Sequence, residues 1–197
     1  MQTNNINCFI KILKRLKYEY KIINSYDDYD KSITKLIIPG IGNYNNCIQY
    51  ITTNNLHKVI YKHNIDNKKI LGICIGMQIL TSWGDEGGKI NGLDIIPNSY
   101  TSLINTDQIL PHIGWNSLEI KNKDDVLFNG INLISDFYFV HSYNVICDNN
   151  NLILATTKYG KSIINAIIKK DNIIAIQFHP EKSGLNGIKF IENFLKY

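Results

Sequence analysis

The chain has 197 residues, 44% of them hydrophobic, enough for one substantial core and about one domain. Its 21 basic and 17 acidic side chains leave a formal charge of +4, too small and too dispersed for the basic face that nucleic acid requires. Four widely spaced cysteines (Cys8, Cys47, Cys74, Cys147) form no C-x-x-C pair and no zinc-spaced cluster, and no apolar run approaches the roughly 18 residues of a membrane helix.

The opening, MQTNNIN, is polar and lacks the apolar stretch of a signal peptide. Reduced cysteines in the cytoplasm are therefore expected. Phe9, Ile12, Leu13 and Leu16 repeat at helical spacing and predict an amphipathic helix over about 5–18. Its basic stretch KILKRLK (11–17) reads as a solvated helix face. Lys21–Asn24 and Lys35–Ile38 are strand candidates, the second running into the turn Pro39-Gly40-Ile41-Gly42. A long helix fits about 43–62, then a strand over Lys69–Cys74 and a helix from Gly76 to about Trp83. This order implies an α/β domain around an open, largely parallel sheet flanked by helices.

Beyond residue 90 the pattern changes. Segments 93–96, 100–104, 117–120, 137–141, 152–157, 162–169 and 173–178 read as strands rich in Ile, Val, Tyr and Phe, separated by polar turns. A closing helix over about 185–195 aligns Ile188, Ile191 and Leu195. No repeat or Pro/Ser linker divides the chain, so residues 1–197 are expected to form one domain with antiparallel strands added to the parallel sheet. A doubly wound sheet normally opens with a strand, yet this chain opens with a helix.

The chemistry concentrates in Gly72-Ile73-Cys74-Ile75-Gly76. This G-x-C-x-G pentapeptide has the form of a nucleophile elbow, where a strand turns sharply into a helix and a Cβ two residues to either side would clash. At such a turn the sulfur sits over the first amides of the helix, whose partial positive charge favours a negative sulfur. A buried structural thiol between glycines is the other reading. A nucleophilic cysteine needs a base, and among His57, His63, His112, His141 and His179 the last ends a predicted strand. That is the edge where α/β sheets place their ligands. Glu181, two residues on and past Pro180, can turn back to hold the imidazole in one tautomer.

Cys74 in GICIGMQ together with QFHPEKS (177–183) resembles the class I (triad) glutamine amidotransferases. LIIPGIG (36–42), DEGG (85–88), PHIGWN (111–116), LFNGI (127–131) and FYFVHSY (137–143) are similar to the glutaminase subunits of imidazole glycerol phosphate synthases. The resemblance runs from about residue 5 to the C-terminus. It implies the flavodoxin-like fold of that family and makes Cys74 the nucleophile, His179 the acid/base and Glu181 its orienter. It also places the oxyanion site at Gly42 and the amide of Ile75. Gln78 and Glu86 match residues that contact bound glutamine, Glu86 through the α-amino group. His141, Ser142 and Tyr143 match the stretch at the α-carboxylate. His112, Trp115, Asn116, Tyr138 and Lys182 match positions near the face that meets a (β/α)₈ cyclase, the implied partner in a heterodimer that receives ammonia. No metal or organic cofactor is implied.

Members of the family begin with a strand ending in an Asp-Tyr-Gly-x-Gly-Asn type of turn. Here Asn5-Ile6 aligns with the end of that motif and only MQTN precedes it, so the first strand is expected to be missing, with a sheet edge left unpaired. The family's Gly-Val-Gly-Ala-Phe reads Gly40-Ile41-Gly42-Asn43-Tyr44, and its Ser-Glu-Glu-Gly reads Gly84-Asp85-Glu86-Gly87. Two further readings accompany the main one. One is a paralogous subunit supplying ammonia for amination of a surface-polysaccharide sugar; the other is a remnant that binds a partner without catalysis.

Overall fold

The structure is a computed structural model describing residues 3–197. Met1 and Gln2, part of the polar opening where a leader and a first strand are not expected, lie outside the described residues. Helix α1 (Thr3–Arg15) buries Phe9 and Ile12. It ends before residue 18 because Lys17 takes a left-handed φ of 61°. The Tyr18 and Lys17 amides then bond back to Leu13 O and Lys14 O at 3.0 and 3.1 Å, a Schellman stop.

Lys21–Asn24 is not a strand. Among the described residues no strand pairs with it, and the amides of Asn24 and Ser25 instead donate to the Asp28 carboxylate at 2.8 and 3.0 Å. Strand β1 (Lys35–Ile38) forms as expected and pairs with β2 (Lys69–Ile73) alone. Its other edge meets no strand among the described residues.

The predicted helix over 43–62 is two helices, α2 (Tyr44–Thr53) and α3 (Leu56–Ile65). Asn55 adopts φ 55° between them, a conformation Asn tolerates better than most residues. Asn43 caps α2, its side chain accepting from the Asn46 amide at 3.2 Å. After Cys74, α4 (Ile75–Gln78) lasts a single turn, and the residues expected to continue it form β3 (Thr81–Gly84). The β-branched and aromatic Thr81 and Trp83 fit a strand, and Thr81 Oγ1 closes the helix by donating to Gln78 O at 2.7 Å.

Strands β4 (Ile90–Asn91) and β5 (Ile96–Leu103) follow. The strand expected at 100–104 falls almost wholly within β5, whereas of the one expected at 93–96 only Ile96 is strand; β5 carries Asn98 at φ 55° where its register with β3 slips. Next come β6 (His112–Ser117), β7 (Glu119–Ile120), β8 (Asp136–His141) and β9 (Tyr143–Cys147). Sequence periodicity misses β9 and all but the last residue of β6, whose Gly114 and Asn116 disfavour a strand. The chain closes with β10 (Ile153–Tyr159), β11 (Ser162–Lys170), β12 (Ile173–Ile176) and α5 (Gly184–Lys196).

The main sheet has the order β1-β2-β12-β11-β10-β7. Its β1-β2-β12 part is parallel and the rest antiparallel. A four-stranded sheet β4-β3-β5-β9 and a β6-β8 ladder complete an open α/β fold with added antiparallel strands, the class expected. Alternation along β2 and β12 loads both faces. Leu71, Ile73, Ile174 and Ile176 join Phe9, Phe178, Phe190 and Phe194 on the side of α1 and α5. Ile70, Ile173 and Ala175 join Tyr44, Ile51 and Ile60 on the side of α2 and α3. Among the described residues no helix is long and apolar enough to cross a membrane.

Candidate active site

Strands β2 and β12 run parallel in the middle of the main sheet, with Ile73 level with Ile176. Their C-terminal ends therefore carry Cys74 and Gln177-Phe178-His179 to one edge. The Cys74 amide donates to Ile176 O at 2.8 Å, fixing the two ends together.

Cys74 has φ 54° and ψ −110°, a sparsely populated conformation that costs on the order of 1–3 kcal/mol and persists only when its surroundings enforce it. The flanking glycines enforce it here. A Cβ on Gly72 would lie 2.6 Å from Gly76 O, and one on Gly76 would lie 2.0 Å from Ile38 O. The strand, the turn and the neighbouring β1 pack too closely for any side chain at either position. This is the clash expected of an elbow. As the first residue of α4, Ile75 has an N–H with no acceptor one turn back within the helix.

His179 is fully buried and held by its backbone. Its N–H donates to Tyr138 O on β8 at 2.8 Å. Its carbonyl accepts from Ser183 Oγ at 2.7 Å, and that oxygen accepts from the Tyr138 amide at 3.0 Å. Pro180 opens a 3₁₀ turn, Pro180–Lys182, which folds Glu181 back beneath the ring. Nδ1 of His179 lies 2.8 Å from Glu181 Oε1, both side chains being inaccessible to solvent.

Burial opposes a charge on this imidazole, but the Cys74 sulfur and the Glu181 carboxylate outweigh it and push the pKa up to about 9. Among the described residues Nε2 of His179 is buried and makes no hydrogen bond of ordinary length, and Cys74 is near enough to influence the ring. Such an arrangement sets an imidazolium donor beside a sulfur.

Gln78, on the second turn position past the elbow, is buried, and its Nε2 donates to Tyr143 O at 3.1 Å and Gln177 Oε1 at 3.2 Å. Tyr143 in turn faces Glu86 and Asp85. Burial first, and then those two negative charges, raise the pKa of its phenol. Glu86 accepts from the Tyr44 amide at 2.6 Å, so it binds the start of α2 immediately after the Gly42 turn. Gly42 itself has φ 138° and open space where a Cβ would point. Gln78, Glu86, Tyr143 and the elbow thus sit around one region.

His141 is buried. Its Nδ1 lies 2.8 Å from Tyr143 O, which requires a proton on Nδ1, and its Nε2 accepts from His112 Nδ1 at 3.0 Å. Burial pushes the pKa values of His141 and His112 down to about 3 and about 4, so both rings are neutral near pH 7. Ser142 contributes its carbonyl to the Ile104 amide at 3.0 Å.

Of the five residues expected near a partner face, His112 lies inside the fold. It is 2% exposed and stacks between Phe139 and Tyr159, with ring centroids at 5.0 and 4.1 Å. It supports the β6–β8 ladder from beneath, because alternation along β6 turns it inward while Ile113 and Trp115 turn outward. Trp115 is 55% exposed and meets Tyr138 edge-on at 5.8 Å. Lys182 Nζ lies 5.6 Å over the Tyr138 ring. Asn116 Nδ2 donates to Lys158 O at 2.6 Å, which ties it to β10. Gln177 and Ser183 carry no role in the sequence reading, although both lie within the QFHPEKS motif that could have drawn attention to them.

Comparison with known proteins agrees with this arrangement. The model of the family "Glutamine amidotransferase class-I" matches residues 3–197. The chain is 42% identical over 179 residues to "Imidazole glycerol phosphate synthase subunit HisH" of Methanocaldococcus jannaschii, covering 91% of this chain and 88% of that protein. It is 33% identical to "Imidazole glycerol phosphate synthase hisHF" of Emericella nidulans, covering 97% of this chain and 36% of that longer protein. In fold it is similar to PurLQS from Thermotoga maritima, with a TM-score of 0.69, 18% identity and coverage of 97% of this chain and 92% of that one. With the elbow, the buried histidine and a family match over nearly its whole length, the chain belongs to the class I glutamine amidotransferases.

Proposed function

We propose that this chain is the glutaminase subunit of an imidazole glycerol phosphate synthase, acting in the cytoplasm as a single amidotransferase domain over residues 1–197. It hydrolyses glutamine to glutamate and ammonia and passes the ammonia to a synthase partner with a (β/α)₈ barrel. The observation that carries this reading is the buried Cys74–His179–Glu181 cluster at a strained elbow, in a chain 42% identical to a HisH subunit. The fused hisHF relative supports a partner that works in step with this domain.

The chemistry follows from the groups present. The Cys74 sulfur adds to the carboxamide carbon of glutamine, and the carbonyl oxygen takes the negative charge. The Ile75 amide and a peptide N–H turned from the Gly42 segment are the donors suited to that oxygen. His179, protonated and held by Glu181, gives its Nε2 proton to the departing nitrogen, so ammonia leaves and a γ-glutamyl thioester remains. The neutral imidazole then takes a proton from water, whose oxygen attacks the thioester carbon and expels the sulfur. Glutamate forms and the starting groups are restored. Gln78, Glu86 and Tyr143 are the groups placed to hold the substrate, Glu86 through the α-ammonium. No step calls for a metal or an organic cofactor.

The intact cluster argues against a non-catalytic remnant, and the names of the relatives favour the histidine pathway over sugar amination. The test is glutamate release by the chain purified with its synthase partner. Cys74→Ala is expected to abolish that release while ammonia-dependent synthesis by the partner continues. Loss of both would mean that Cys74 is chiefly structural, and a folded wild-type complex without turnover would end the enzyme reading.

A further inference from the structure

Gln177 belongs to the most distinctive motif of the chain, yet the mechanism above leaves it without a task. It is fully buried, and its Nε2 lies 3.6 Å from the Cys74 sulfur. Burying a primary amide is costly unless its polar atoms are satisfied. Here they are satisfied by functional neighbours rather than by the surrounding fold. Oε1 accepts from Gln78 Nε2 at 3.2 Å, and Gln78 Nε2 spends its other proton on Tyr143 O at 3.1 Å.

The direction of this chain of bonds is fixed by chemistry. A peptide carbonyl only accepts, so Gln78 must present its nitrogen to Tyr143 O. That same nitrogen faces Gln177, which must answer with its oxygen. The Gln177 nitrogen is then left pointing at sulfur, as a donor. The opposite flip would set nitrogen against nitrogen at 3.2 Å. A donor aimed at sulfur favours the anion, which is the better acceptor. The sulfur also lies 3.9 Å from Val140 O, an acceptor that favours the protonated thiol, and beside the His179 ring.

We propose that Gln177 is a positioning residue that holds the Cys74 sulfur in its nucleophilic form and orientation, with its own amide locked by Gln78 and the Tyr143 carbonyl. The inference rests on the reading of Cys74 as nucleophile. It makes the segment 141–143, through Gln78 and Gln177, a mechanical neighbour of the sulfur. A change at the carboxylate end of the site is thereby transmitted to the direction of the donor on the thiolate.

The test is alkylation of Cys74 by iodoacetamide, followed by mass spectrometry of the peptide that contains it, across a pH series from acid to alkaline. Two variants near in size are compared with the wild type. Gln177→Met removes both polar atoms. Gln177→Glu keeps an acceptor for Gln78 but replaces the donor on sulfur by a second acceptor. In both, the alkylation midpoint is expected to move to higher pH, further for Glu, with a rate at neutral pH lower by about 3- to 10-fold for Met. For glutamate release by the partner complex, kcat is expected to fall more than KM rises. Alkylation profiles of folded variants that overlay the wild type would overturn the inference, because a residue that only fills space does not move them. Should the wild-type complex itself release no glutamate, the functional reading fails and this inference with it. Active wild type with unshifted variants removes the inference alone.

Discussion

At the scale of single residues, His179 feels two opposing influences. Burial drives its ring towards neutrality, while the sulfur on one side and Glu181 on the other drive it towards the cation, and the second pair wins. An imidazolium at neutral pH is the form that can protonate a leaving amine. In the proposed mechanism Glu181 steers and charges the ring but transfers no proton itself, so Glu181→Gln is expected to cost less glutamate release than His179→Ala. The latter should lose about 10²- to 10⁴-fold, the usual worth of a positioned acid/base. The Gln oxygen can still accept from Nδ1, but it lacks the negative charge that stabilises the cation. The alkaline limb of the Glu181→Gln rate profile should therefore move from about 9 towards neutrality. Equal losses, or an unmoved limb, would contradict the roles given to the pair. Cys74, His179 and Glu181 were legible in the sequence because their chemistry demands particular residue types at particular turns. The hydrogen bonds that join Gln177 to Gln78 and Cys74, and Ser183 to Tyr138, were not, since only the fold brings those atoms close and no spacing rule encodes that closeness.

At the scale of elements, the elbow is held by crowding. The Gly76 position approaches Ile38 O on β1, and the Gly72 position approaches Gly76 O. Backbone, unlike a flexible side-chain tip, cannot step aside cheaply. Gly76→Ala should therefore destabilise the chain by about 1–3 kcal/mol, the usual cost of forced overpacking. That loss would appear as a lower urea midpoint with an unchanged slope. A smaller effect would mean that β1 yields, as an edge strand can. The same crowding explains why periodicity overextends the helix after Cys74. Apolar residues continue to Trp83, but the chain turns at Thr81, whose hydroxyl returns to Gln78 O, and enters a second sheet. Lys21–Asn24 departs from expectation for the complementary reason. Its residues suit a strand, but a strand exists only by pairing, and the free edge of β1 does not take it up. The split at Asn55 likewise depends on one left-handed residue inside an otherwise helical pattern.

For the whole molecule, the β6–β8 ladder joins the site to the surface. On its inner side, Val140 O faces the Cys74 sulfur at 3.9 Å, and Tyr138 O takes the His179 amide at 2.8 Å. On its outer side, Trp115 pairs across with Tyr138 and Ile113 with Val140, and Ile113 and Trp115 are more than half exposed. A face carrying an edge-on Trp–Tyr pair with Lys182 above the Tyr has the composition of an interface core and its polar rim. Placing the synthase partner there means that pressure on Tyr138 reaches the His179 backbone through one hydrogen bond. Trp115→Ala should therefore weaken the complex by about 2 kcal/mol or more, roughly thirtyfold in Kd, as central aromatic anchors do. It should leave the urea midpoint of the free chain nearly unchanged, since a half-exposed side chain contributes little to folding. Calorimetric titration of the partner into each variant, beside denaturation of the chain alone, separates the two effects. Unchanged affinity would place the partner on another face, and a lowered midpoint would mean that Trp115 belongs to the core of the ladder after all.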